Sequence, residues 1–179
     1  MSRPSIMSGG AILSQCGTYR YTLERTWAPL MPPLTMVYLL LNPSTADAME
    51  DDPTIRRCIG FAQREGCTGL RVLNLFALRS KAPALLLTHS DPVGPENDTY
   101  IQKYMLNMHE GCIWVAGWGV MGHRRIKERA TTVIKMLGDR GIWCLGTNAD
   151  GSPKHPLYLS CDTEFTPYTY QEAKDGPVL

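Results

Sequence analysis

Four short polar motifs carry the residue types best suited to chemistry: Asn42-Pro43-Ser44-Thr45, Asn74-Leu75-Phe76, Trp118-Gly119 and His155-Pro156. An Asn side chain is no strong base, so Asn42 would position a water rather than deprotonate it. Pro43, Ser44 and Trp118 are candidate residues for binding a base beside it. Asn74 offers a donor and an acceptor on one carboxamide, which suits the hydrogen-bonding edge of a base. Phe76 just beyond can stack on a flat ring or fill the core. His155 lies in the loop GTNADGSPKHPLY, whose glycines and prolines let backbone and imidazole approach a ligand closely. An imidazole there can hydrogen-bond a departing oxygen and stabilise developing negative charge. Asp47, Asp51 and Asp52 follow the first motif. One of the last two is expected to cap a helix. Asp47 is therefore the candidate auxiliary carboxylate, able to steady an oxocarbenium-like transition state. Each residue also has a plainer reading: an Asn-Pro turn, a buried Asn serving the backbone, a structural His.

The elements that must position these motifs are legible around them. Each motif follows a strongly apolar run, at Met36–Leu41, Leu70–Leu75, 113–116 and 142–145. Continuous apolar runs read as buried parallel strands, and ligands of open α/β sheets sit beyond the carboxyl ends of such strands. Between them, Asp51 or Asp52 with Pro53 opens a helix carrying Ile55, Ile59 and Ala62 on one stripe and ending near Gly66. A short helix is predicted from Pro83 to Leu87. Another starts at Asn97 or Asp98 with Ile101, Tyr104, Met105 and Met108 at helical spacing, and a basic helix runs over about 123 to 137. The alternating order predicts a three-layer α/β/α fold around a central, mostly parallel four-stranded sheet. Ala11–Trp27 reads as an N-terminal β-hairpin turning at Gly17. Residues 1–10 read as a flexible N-terminus, 11–160 as a single domain and 161–179 as a turn-rich tail without an assigned role. The loop Asp91–Asp98 suits a rigid turn with a helix cap, or a lid.

Composition narrows the partners. The chain has 179 residues, 44% of them hydrophobic, enough for one sizeable core. Its 18 basic and 17 acidic residues leave a net charge of +1, so there is no global basic footprint for nucleic acid. Any phosphate contact must be local. Arg124 and Arg125 start the basic helix, while Arg79, Lys81 and Lys154 lie on strand-end loops, and together they are the candidate phosphate-binding rim. The six cysteines form no CxxC pair and no zinc spacing, so no metal is expected; no other cofactor is expected either. With no secretory or membrane-spanning apolar stretch in view, a cytoplasmic location is expected and no membrane partner.

The segments LNPSTADAMEDDPTIRRC, NLFALR, DPVGPEND, WG and HPLYL, spread over about residues 11 to 160, resemble an uncharacterised bacterial and phage domain family. The order of motifs also resembles the uracil-DNA glycosylase superfamily. There a first strand ends in an Asp-Pro or Asn-Pro loop, a second in an Asn that reads the base, a later one in Trp-Gly, and the last motif is His-Pro. This resemblance implies a glycosylase-like fold and hydrolysis of the N-glycosidic bond of a damaged or modified base in DNA. Asn42 would place water, Asn74 would read the extruded base and His155 would stabilise the leaving group. Two alternatives remain open: an enzyme acting on a free or modified nucleotide, and a non-catalytic module that binds a modified base.

Overall fold

The computed structural model describes residues 8–28, 33–44, 50–107, 111–120 and 122–170. In chain order the elements are β1 (Ser8–Leu13), β2 (Arg20–Thr26), β3 (Thr35–Leu40), α1 (Pro53–Arg64), β4 (Gly69–Asn74) and the short α2 (Leu85–Thr88). They continue with α3 (Asn97–Asn107), β5 (Cys112–Ala116), α4 (Arg124–Leu137), β6 (Trp143–Cys144), a 3-10 turn at Pro156–Tyr158 and β7 (Thr166–Pro167).

The strands form one mixed sheet in the order β1-β2-β4-β3-β5-β6-β7. β3 pairs in parallel with β4 and β5, and β5 with β6. The pairings β1–β2, β2–β4 and β6–β7 are antiparallel. This corrects the four-stranded, mostly parallel sheet expected from the sequence. The N-terminal hairpin is an integral edge, since β2 lies against β4 with Leu23 opposite Val72, both fully buried. At the other edge, β7 pairs with β6.

Strand β3 shows why the sheet is covered on both sides. Side chains alternate across a strand, and every residue from Met36 to Leu40 is buried. Met36, Tyr38 and Leu40 pack with Ile55, Cys58, Ile59 and Ala62 of α1. Val37 and Leu39 belong to the opposite core, with Ile101 and Met105 of α3 and Ala130, Val133 and Leu137 of α4. Each such side chain taken from water contributes about 1.5–3 kcal/mol before entropy is counted. Helix α1 begins where the sequence places it: Asp52 is the N-cap, its Oδ1 accepting the Ile55 N–H at 2.9 Å, with Pro53 at the first helical position.

The Asp91–Asp98 loop is a clamp. The backbone N–H groups of Ala77 and Leu78 donate to the carbonyls of Val93 and Pro92 at 3.0 and 3.1 Å. Asn97 Nδ2 donates to the carbonyls of Asn74 and Leu75 at 3.0 and 3.2 Å. Gly94 has φ +87°, and a Cβ there would lie 2.9 Å from the Tyr19 ring. The extension of β4 is thus held from outside, and its last residue, Asn74, is fixed in place.

Among the described residues no helix is long and apolar enough to cross a membrane. Among them, too, no group of three or more His, Cys, Asp or Glu is placed to hold a metal ion. All six cysteines are free, and their environments differ. Hydrogen bonds from Ser14 and Thr18 lower the exposed Cys16 thiol to about 7. Burial pushes Cys67 up to about 11 and Cys58 further still. Because the thiolate is the nucleophile, brief iodoacetamide labelling of the native protein near neutral pH is expected to mark Cys16 well before Cys58 or Cys67. Peptide mapping of the labelled protein checks this.

Candidate active site

The strand-end motifs are brought together by a backbone ladder that continues past the strands. Leu75 N–H donates to the Leu40 carbonyl at 2.8 Å, Phe76 N–H to Leu41 at 3.0 Å and Ser80 N–H to Pro43 at 2.9 Å. The loops after β3 and β4 therefore run side by side. Asn42 reinforces them, its Nδ2 donating to the carbonyls of Pro43, Leu78 and Ser80 at 3.1, 3.4 and 2.9 Å. The two amide hydrogens are spent in that strap, so what Asn42 can offer a ligand is its acceptor oxygen.

After β5, Gly117 N–H donates to the Leu39 carbonyl at 2.9 Å. A Cβ at Gly117 would meet the Pro156 ring at 3.0 Å and Leu40 at 3.2 Å. The absent side chain lets the His-Pro turn settle onto the sheet, and Gly119 N–H ties the two loops by donating to the Pro153 carbonyl at 3.0 Å. His155 caps the 3-10 turn, its Nδ1 accepting the Leu157 N–H at 3.3 Å. In the neutral ring that bond places the proton on Nε2, which then acts as a donor. Burial lowers the His155 pKa below its usual value, and the nearby charge of Asp52 partly opposes the shift.

These loops enclose a cleft of about 320 Å³. Of the residues singled out from the sequence it gathers Asn42, Ser44, Asn74, Lys81, Trp118 and His155. Asn74 is fully buried, and among the described residues neither its Oδ1 nor its Nδ2 has a hydrogen-bond partner. Trp118 is 2% exposed, and its Nε1–H is likewise unpartnered. Buried polar groups are nearly always paired, and leaving one unpaired costs about 1–3 kcal/mol. Three such atoms, on two residues, lie in this one cleft. A larger hollow of about 440 Å³ is lined by Arg64, Glu65, Ile113, Trp143, Glu164 and Phe165. No unpartnered buried polar atom belongs to these lining residues.

The other singled-out residues lie elsewhere. Pro43 is buried behind the cleft with its carbonyl engaged by Ser80 and Asn42. Phe76 is 1% exposed in the core shared with α3 and α4. Arg79 and Arg125 are tethers, the first to the Gly17 carbonyl at 3.1 Å, the second to Leu87 and His89 at 3.2 and 3.3 Å. Lys154 is exposed and lies over Gly146. Asp47 is outside the described residues. Arg124 has an 87% exposed side chain paired with Glu128 at 3.4 Å along its own helix. Of the five residues expected to form a phosphate rim, only Lys81 lines the cleft. Arg124→Ala is accordingly expected to alter stability by less than about 0.5 kcal/mol and DNA affinity hardly at all, with Lys81→Ala weakening binding more. Fluorescence titration with a labelled oligonucleotide checks the comparison.

The cleft also holds residues that the sequence reading passed over, Arg20, Thr54, Ser80 and Tyr158, together with Asp52, which it took as a possible helix cap. Arg20 is only 2% exposed. A charged residue opening a strand that reads Arg-Tyr-Thr-Leu was a signal available in the sequence. Tyr158 is 83% exposed at the cleft, with its ring 5.9 Å from that of His155.

Fold and cleft together define an α/β protein with a cleft at the carboxyl ends of its parallel strands. The chain belongs to the family described as DUF1643, protein of unknown function, which it matches over residues 20–157. No curated protein matches it. The matched stretch opens at Arg20 and closes at Leu157, so it takes in every lining residue of the cleft but Tyr158.

Proposed function

We propose that this protein is a glycosylase-type hydrolase, releasing a damaged or modified base from DNA by cleaving its N-glycosidic bond. The observation that carries the reading is Asn74: a fully buried carboxamide with donor and acceptor both unpaired, lining a cleft shared with Asn42, Trp118 and His155. An extruded base supplies what Asn74 lacks, an acceptor and a donor side by side on one edge. The Trp118 Nε1–H asks for a further acceptor on the same ligand. His155, neutral and carrying its proton on Nε2, donates to a carbonyl oxygen of the leaving base as negative charge grows there. Asn42 accepts a hydrogen from the attacking water and so orients it. The reading takes its chemistry from the order of the motifs, which resembles that of the uracil-DNA glycosylase superfamily.

One observation favours a second reading, an enzyme acting on a free or modified nucleotide. Lys81 and Arg20 are the basic residues among those lining the cleft apart from His155, which suits a ligand with few phosphates. The salt slope of binding separates the two, because each phosphate contact on DNA steepens it.

The decisive experiment is a base-release assay on oligonucleotides bearing uracil, mismatched thymine, hypoxanthine and modified pyrimidines, with the matching free nucleotides in parallel. Wild type is compared with His155→Ala and Asn42→Ala, each checked for folding, since Asn42 also straps two loops. Release from an oligonucleotide, lost in His155→Ala, supports the glycosylase. Release only from nucleotides supports the second reading. Base-dependent binding without release points to a binding module.

A further inference from the structure

We infer that Asp52 is the general base of the hydrolysis, the carboxylate that takes the proton of the attacking water, an inference that rests on the glycosylase reading. Asn42 cannot fill that part, because its amide hydrogens are committed to three backbone carbonyls and a carboxamide is not a base. Of the neighbouring acids, Asp51 is held in an ion pair with the buried Arg25, Nε to Oδ1 at 2.8 Å. Asp52 lines the cleft with Asn42, Asn74 and His155. Only its Oδ1 is used by the helix, accepting the Ile55 N–H at 2.9 Å. Among the described residues no hydrogen bond engages its second oxygen, and Asp52 lines the cleft.

The rest of the fold ties the helix that bears this carboxylate to the segment that carries the leaving-group donor. Helix α1 is laced to the segment after His155: Arg57 donates to the Leu159 carbonyl, and Arg64 to those of Cys161 and Thr163 at 2.7 and 2.8 Å. Burial lowers the His155 pKa, and the negative charge of Asp52 acts the other way. The charged and titratable groups sharing the cleft with them are Arg20, Lys81 and Tyr158.

The step balances without a cofactor. The water oxygen bonds to the anomeric carbon, its proton passes to Asp52 Oδ2, and the carbon–nitrogen bond breaks with its electron pair leaving on the base. His155 Nε2–H stabilises that anion, and the proton on Asp52 returns to solvent or to the departing base. Helix capping and proton transfer are then duties of two different oxygens of one side chain.

Asp52→Asn separates the duties, because Asn caps helices about as well as Asp but cannot accept the proton. The expected result is a fold that melts like the wild type, a His155 pKa lowered further in an NMR titration, and base release reduced at least about 100-fold. Asp52→Ala, which loses the cap as well, is expected to melt lower. Base release by Asp52→Asn at the wild-type rate overturns the inference and leaves the glycosylase reading intact. An unmoved His155 titration overturns the juxtaposition, and the inference with it. Folded wild type that releases no base from any oligonucleotide or nucleotide tested overturns the glycosylase reading and the role of Asp52 together.

Discussion

Asn74→Leu is expected to give a protein that is more stable and no longer recognises its ligand. The substitution roughly preserves side-chain volume and removes two buried polar atoms that have no partner among the described residues. Relief of an unpaired buried group is worth about 1–3 kcal/mol. In a chain of this size each kcal/mol moves the melting temperature by about 2–4 °C. The same change deletes a bidentate edge contact worth about 1–3 kcal/mol of recognition, so turnover on a competent substrate should fall by about ten- to a hundredfold. Thermal melts and release assays on one preparation give both numbers. A lower melting temperature would mean that Asn74 holds the fold together and is not waiting for a ligand.

His155→Ala is expected to cost about 10²–10³-fold in release, the usual effect of losing a donor to a developing anion. It also changes how stability depends on pH. Burial depresses the folded-state pKa of His155 below its ordinary 6.5, so the unfolded chain binds this proton more readily. The stability contribution is therefore complete above about pH 6.5, the ordinary value of an unfolded-state His, and is lost as pH falls through the lowered folded-state value. Protonation also places a hydrogen on Nδ1, where the Leu157 N–H already points. Melting temperatures taken from pH 8 downward should show an acid slope in the wild type that is shallower in His155→Ala. In Asp52→Asn the slope extends to lower pH, because the charge that opposes the His155 shift is gone. Equal slopes in wild type and His155→Ala would remove His155 from the buried, hydrogen-bonded position described here.

Much of this arrangement is written locally in the chain, and the part that is not has clear causes. Helix α1 was legible because Asp52, Pro53 and the stripe Ile55, Ile59, Ala62 act within a few residues of one another. The inner strands were legible as unbroken apolar runs. The pairing of β2 with β4 was not, because Leu23 opposite Val72 is a contact between distant segments. Nor was β7, whose two residues include Pro167, a residue that strands usually exclude. In the cleft, Asn42, Asn74, Trp118 and His155 stand out in sequence by their positions after apolar runs. The arginines illustrate the opposite case. Whether Arg79 or Arg125 meets a phosphate or a carbonyl is set by what lies within reach of a long side chain, and here carbonyls do. Asp52 was hidden differently, because a sound explanation as a helix cap used only one of its oxygens.

The bond from Arg57 to the Leu159 carbonyl joins positions 102 residues apart in the chain. Contacts of such high sequence separation form late, since the loop they close must be ordered first. The β3-α1-β4 unit, compact in sequence, can nucleate early, whereas the wall bearing His155 is added only when β5 and β6 have joined the sheet. Nascent chains that end before His155 thus hold Asn42, Asp52 and Asn74 without their fourth partner. On heating, hydrogen-exchange protection of the Leu157 amide should be lost no later than that of β3, and it marks the moment at which the two halves of the cleft part.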